Sequence, residues 1–459
     1  VRPENSWASR TRRSAHAAAP ACAERRVRLA QEFSGRTLVI ASGNPKVRAN
    51  DTDYRFRAGT DFVYLTGCQD PDAVLVIAPG AETPRATLYV APRRDHRTHE
   101  FFTDARYGEL WVGARRGVEE SATFFGIETA PLEHLGKDLE SLAATTVLVL
   151  RGLDSGLDHL VEPHEDDSRL AQFLSEMRLI KEATEVTHLE EAIASTVRGF
   201  EDVVRALPLA TQFGERVIEG VFNLRARVEG NDVGYGTIAA SGSHATVLHW
   251  TTNDGEVRHG DLLLLDAGVE HTELYTADVT RTLPVSGTFS PTQRRVYELV
   301  LAAQEAAMSA VRPGVDFLDP HRAAMAVLAA GLVEMGVLEG PVEDILRPDR
   351  QLHRRYTLHG VSHMLGLDVH DCAQARNEHY HGPLKEGYVL TVEPGLYFQP
   401  HDLTVPEEFR GIGVRIEDDI LVTATGYLNL SEGLPRRPDE IEAWMAGLWS
   451  GPSGSLNWG

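Results

Sequence analysis

Apolar, β-branched runs punctuated by Gly, Pro and Asp mark the first third of the chain: Thr37–Ile40, Phe62–Leu65, Val74–Ile77 and Thr87–Val90, with Thr146–Leu150 following. Short uninterrupted runs between turn residues predict buried strands. From Asp167 onward the spacing shifts to every third and fourth position, most clearly over Glu182–Leu207, which predicts helices. A domain boundary is therefore expected near Lys181, with an amino-terminal α/β domain over 23–180. Helices and strands alternate after it, so 181–448 is expected to form a second, larger domain. Residues 1–22 read as a disordered extension. The Gly- and Ser-rich end, 449–459, reads as a flexible tail.

One pattern recurs within the second domain. Gly260–Gly268 and Gly387–Gly395 each run Gly, apolar strand, acid, one residue, Gly. Each is followed by a further acid in an apolar setting, Ala277-Asp278-Val279 and Arg415-Ile416-Glu417. The domain thus reads as two related αβ units, each delivering two carboxylates from neighbouring strands.

Composition narrows the function. A chain of 459 residues exceeds what one core normally organises, in line with two domains. Its formal net charge of −22 repels phosphate backbones and argues against nucleic acid as a partner. The 3 cysteines, Cys22, Cys68 and Cys372, include no CxxC pair, so neither a disulfide framework nor a thiolate zinc site is indicated. That usage suits a reducing cytoplasm. The longest apolar run, Ala323–Val333, is too short to span a membrane. Arg12-Arg13 and the alanines after them resemble an export signal only until Glu24, Arg25 and Arg26 interrupt.

The acids carry the chemistry. Asp266 or Glu393 alone would be read as a turn cap at the end of a strand. Asp278 and Glu417 are harder to dismiss, because an unpaired carboxylate among buried strand residues costs several kcal/mol, on the order of a lost ion pair. Arg415, two residues from Glu417 on the same strand face, could neutralise one of the four acids. Two divalent cations could neutralise all of them. The segment from Tyr356 to His370 supplies nitrogen candidates in His359, His363 and His370, and Gly360 and Gly366 mark it as irregular backbone rather than a zinc-binding helix. An oxygen-rich set with one imidazole suits Mn²⁺, Co²⁺ or Zn²⁺.

The motifs LLLLDAG (262–268), TADVTRTLP (276–284), LHGVSHMLGLDVHD (358–371), LTVEPGLY (390–397) and GIGVRIEDDILVT (411–423) resemble those of the pita-bread metallopeptidases, specifically aminopeptidase P. The similarity runs in order from Glu182 to Ala446, and RFRAGTDFVYLTG (55–67) is similar to the family's amino-terminal domain. The resemblance implies a pita-bread domain, a curved antiparallel sheet covered by helices, behind a smaller α/β domain. It implies Asp266, Asp278, His363, Glu393 and Glu417 as ligands of two divalent metals, Mn²⁺ first. Asp278 and Glu417 would bridge, Asp266 would bind one metal, and His363 and Glu393 the other. His249, His359, His370, Arg415 and Tyr397 would line the substrate cleft. Asp266 and Asp278 stand twelve residues apart where many relatives have eleven, and the His271–Tyr275 turn is expected to absorb the difference.

The implied activity is removal of an N-terminal residue from peptides with proline second, by a hydroxide shared between two metals. Glu393 would take the water's proton and pass it to the leaving nitrogen, while His249 and His370 steady the carbonyl. The resemblance also implies a homo-oligomer, a dimer or tetramer. A prolidase restricted to Xaa-Pro dipeptides would share every ligand. A non-catalytic binding protein of the same fold would be expected to have lost ligands, and all five are present.

Overall fold

Every residue of the strands β1 (Thr37–Ala41) and β2 (Val74–Ala78) is buried, and the two pair antiparallel at the centre of a sheet. In the computed structural model, which describes residues 15–80, 83–142 and 144–451, the chain divides into two units after Ser175. The first is built on this sheet. β3 (Arg85–Val90) extends it antiparallel, while β4 (Glu128–Pro131) and β5 (Val147–Val149) close its edges in parallel, giving the order β4-β3-β2-β1-β5. Val39, Val74, Val76 and Val149 pack with Leu135, Leu139 and Leu157 in its core.

Two expectations for this unit are corrected. Phe62–Leu65 is not a strand but the middle of a helix, Thr60–Thr66, ended by Gly67 with φ +68°. Residues 62–66 are all buried, so the run carries no polar side from which a period could be read. The expected extension over 1–22 contains the start of a helix, Ala19–Glu32, with Pro20 in its first turn. Residues 1–14 lie outside the described part.

The second unit opens with a long helix, α1 (Ala183–Phe213), entered through a reciprocal capping box between Glu182 and Glu185 and ended at Gly214, φ +86°. β6 (Ile238–Ser241), β7 (Leu262–Ala267) and β8 (Val279–Pro284) form one antiparallel ladder in the order β8-β7-β6. Two helices follow, Pro291–Ala310, capped by the Ser290 side chain, and Asp319–Glu334. The second half repeats the design. β9 (Val389–Val392) pairs with β12 (Asp418–Val422), and β10 (Gly395–Tyr397) with β11 (Gly413–Arg415). In each half the strand that bears or leads into the first acid thus pairs with the strand next to the second.

The halves join where β8 meets the β11–β12 segment: the Glu417 amide donates to the Thr280 carbonyl (3.1 Å) and the Arg415 amide to Thr282 Oγ1 (3.1 Å). Asp278 and Glu417 do not sit inside strands as expected. Asp278 precedes β8 by one residue, and Glu417 occupies the break between β11 and β12. Such breaks release a side chain from the strict alternation of the ladder and let it turn inward. At the carboxy terminus the helix Pro438–Ser450 extends into the expected tail, where the Trp449 indole N–H donates to the Val204 carbonyl (2.7 Å). Residues 452–459 lie outside the described part.

Candidate metal centre and active site

β7 delivers Asp266 from its penultimate position, and the ends of β8, β9 and β11 deliver Asp278, Glu393 and Glu417 to the same place. His363 arrives on non-helical backbone between Gly360 and Gly366, as the glycines predicted. The carbonyl of Met364 faces His363 Nδ1 at 3.1 Å. A carbonyl only accepts, so Nδ1 carries a proton and Nε2 is the nitrogen turned toward the acids. Nε2 lies 3.3 Å from Asp278 and 3.5 Å from Glu393. Donor atoms of Asp278, His363 and Glu417 all fall within 4.8 Å of one another.

These side chains line a cleft of about 500 Å³ that also includes His249, His359, His370 and Arg415. The structure therefore brings together nine of the ten residues singled out in the sequence. Tyr397 is not among the wall residues. It is buried behind them, receiving a hydrogen bond from Arg415 Nη1 (2.9 Å) and lying 2.8 Å from His359 Nε2. The expected pairing of Arg415 with Glu417 is also corrected: the guanidinium reaches across to Asp266 at 2.5 Å. Glu417 instead accepts from Thr280 Oγ1 at 2.6 Å.

Sequence reasoning missed Tyr235. Its hydroxyl stands 2.6 Å from Asp266 and 2.5 Å from Asp278, joining the two aspartates. A signal was present: Tyr235 is framed by Gly234 and Gly236, and a Cβ at Gly234 would collide with Thr276 Oγ1 at 1.7 Å. Asp419 was missed as well; it accepts the Asp278 amide (3.1 Å) from a fully buried position.

The electrostatics show what this donor set suits. Burial raises the Asp278 carboxyl, and the charge of Asp266 adds to it. Burial pushes Glu393 up to about 8, opposed by His363 and reinforced by Asp278. Glu417 rises well above the carboxylate range through burial and then through Asp278, Glu393 and Asp266. Burial draws His363 down, yet Asp278 and Glu393 outweigh it and hold it up at about 9. Left to themselves, these groups hold protons to limit their mutual repulsion. Divalent cations replace protons at such a site, and four carboxylates balance two of them. By charge and by donor chemistry, the residues fit the metal pair. His359 behaves oppositely: burial and then Arg415 lower it to about 4, so it is neutral.

The loop bearing these histidines is anchored by Asp371. Its carboxylate accepts from Arg178 Nε and Lys181 Nζ, both at 3.1 Å, and its amide donates to the Met364 carbonyl (2.9 Å).

Residues 187–424 match the model of metallopeptidase family M24, and residues 22–149 match that of the aminopeptidase P N-terminal domain. The chain belongs to the aminopeptidase P family. Within that family it is 56% identical over 430 residues to Xaa-Pro aminopeptidase 1 of Streptomyces coelicolor, covering 93% of this chain and 87% of that one. Identity to the Xaa-Pro aminopeptidase of Escherichia coli is 33%, covering 92% and 96% respectively. A solved structure of a variant of Escherichia coli aminopeptidase P superposes with a TM-score of 0.85 at 31% identity, covering 95% of this chain and all of the other. The architecture is accordingly the two-domain aminopeptidase P fold, with its pita-bread unit at the carboxy terminus.

Proposed function

We propose that this chain is an Xaa-Pro aminopeptidase, hydrolysing the bond between an N-terminal residue and a following proline with two divalent cations. The observation that carries this reading is the convergence of four carboxylates and one correctly turned imidazole in a single cleft. Asp278 and Glu417 would be shared by the cations, Asp266 would serve one, and His363 and Glu393 would serve the other. The oxygen-rich donors favour Mn²⁺, with Co²⁺ and Zn²⁺ as substitutes.

When bound, the cations supply Lewis acidity toward the attacking water and the scissile carbonyl. Glu393 accepts the water's proton and hands it to the proline nitrogen, which must be protonated to leave. His249 and His370 steady the carbonyl as negative charge develops on its oxygen. Arg415 is held in place by Asp266 and Tyr397 and forms one wall of the cleft. Ile238, Leu248 and Val369 contribute apolar wall, suited to a pyrrolidine ring that offers no N–H for recognition. With Asp266 placed to receive the free α-amine, the cut falls one residue in.

We take the protein to be cytoplasmic, as its buried cysteines Cys22, Cys68 and Cys372, with no disulfide among them, favour. Exposed Phe102, Leu110, Trp111 and Val112 favour a homo-oligomer, which sedimentation tests directly.

The deciding experiment compares kcat/KM for Xaa-Pro, Xaa-Pro-Yaa-Zaa and Xaa-Ala-Yaa-Zaa. The longer proline peptide should be cleaved at least as well as the dipeptide, and the alanine control far more poorly. Cleavage confined to the dipeptide would make the enzyme a prolidase. Equal cleavage of the alanine control would remove proline selectivity.

A further inference from the structure

A second group of metal-ligating side chains lies outside the cleft. His188 and Glu191 occupy positions i and i+3 in the second and third turns of α1, so they share one face. His271 opens the turn that leads from Val269–Glu270 toward Asp278. The two imidazoles stack with centroids 4.9 Å apart and planes 20° from parallel. Both present a nitrogen to the same carboxylate oxygen: His271 Nε2 lies 3.0 Å from Glu191 Oε2, and His188 Nδ1 lies 3.5 Å from it.

These separations are those of ligands sharing an ion. Two donors each about 2.1 Å from a tetrahedral zinc stand about 3.4 Å apart. The three donor atoms all fall within 4.8 Å of one another. His188 Nδ1 is buried and makes no hydrogen bond, an orphan in a largely satisfied interior. The His271 ring is oriented from its other side. Its Nδ1 accepts the Glu273 amide at 3.1 Å, which helps aim Nε2 at Glu191. Ligation through Nε2 moves the ring proton to Nδ1 and exchanges that one hydrogen bond for the metal bond. Glu191 is more than half exposed, which leaves an entry path and room for water to complete the coordination shell.

We propose that His188, Glu191 and His271 form a third metal site, separate from the catalytic pair and selective for nitrogen-preferring divalent ions such as Zn²⁺ or Ni²⁺. Two imidazoles and one carboxylate favour those ions over Mn²⁺ or Mg²⁺, the reverse of the oxygen-rich catalytic set. The site ties the start of α1 to the turn at 271–275. That turn continues into Thr276, whose amide donates to the Gly366 carbonyl in the His363 loop (3.0 Å), and then into Asp278. An ion here restrains the approach to the catalytic centre without entering it.

The test uses the whole enzyme loaded with Mn²⁺, dialysed to equilibrium against micromolar Zn²⁺, with both metals counted by elemental analysis. The expected result is one Zn²⁺ per chain while two Mn²⁺ remain, together with a higher melting temperature. His188→Ala, His271→Ala and Glu191→Gln should each weaken that Zn²⁺ by at least roughly tenfold and leave the Mn²⁺ count unchanged. A measurement independent of any variant is anomalous scattering at the zinc edge from wild-type crystals, which should place a peak among the three side chains. Zinc uptake only by exchange for manganese, equal uptake in wild type and variants, or no anomalous peak there would each overturn the proposal.

Discussion

Replacing Asp371 by Asn isolates the anchor beneath the histidine loop. The carboxylate is 1% exposed and lies between Arg178 and Lys181, whose side chains are 5% and 1% exposed. Burial alone would raise its pKa; Lys181 and then Arg178 outweigh burial and bring it to about 2, against an ordinary 3.8. A depression of that size corresponds to about 2 kcal/mol of stability at neutral pH. Because the folded pKa is the lower one, this contribution is present above pH 3.8 and is lost as pH falls through about 2. Asn removes more than this, since it strands two buried cations, and breaking a buried pair in this way costs about 3–5 kcal/mol. The larger figure applies to the variant, because the linkage value describes only the carboxylate's own titration. For a domain of this size that loss lowers Tm by roughly 6–20 °C.

The assay is denaturant unfolding of the metal-free protein at pH 7, for Asp371→Asn alone and combined with Lys181→Met. The double variant should recover part of the loss, since it removes one stranded charge. Because the carboxylate anchors the loop that carries His363, loosening it in the single variant should lower kcat as well. A loss below about 1 kcal/mol would show that the three charges do not act as a buried set. So would a double variant no more stable than the single one.

Metal binding should expel protons. Glu393, at about 8 in the folded metal-free chain against an ordinary 4.5, keeps its proton there and loses it on unfolding between those values. Stability of the metal-free protein should therefore fall as pH rises through that window, and Mn²⁺ titrations in buffers of different ionisation enthalpy should differ; identical heats would refute the reasoning. Asp278→Asn and Glu417→Gln should lose metal, whereas His370→Ala should keep both ions and lose roughly a hundredfold in kcat; equal metal loss in all three, by elemental analysis, would remove His370 from the substrate side. Tyr235→Phe deletes the hydroxyl joining Asp266 to Asp278 and should weaken Mn²⁺ binding about tenfold, measured by calorimetry. An unchanged affinity would make that hydroxyl incidental.

Three of the clustered residues were legible in the chain from short local signatures: an apolar strand and glycine for Asp266 and Glu393, two glycines around His363. Local patterning likewise specified β1, β2 and the two-unit repeat, since burial on a strand is written in consecutive residues. Where burial is complete on every side the pattern loses its period, and the helix Thr60–Thr66 read as a strand for that reason. Partner choice lies beyond local reading altogether. Arg415 stands two residues from Glu417 yet meets Asp266, 149 positions away, because the strand break at Glu417 turns its side chain off the shared face. Tyr235 joins two aspartates 31 and 43 residues distant, and Asp371 meets Lys181 across 190. Composition and spacing determined which chemistry the chain could perform. Which acids converge, which hydroxyl lies between them and which charges hold the loop were decided by tertiary structure, because short-range electrostatics depend on distances that only the folded chain sets.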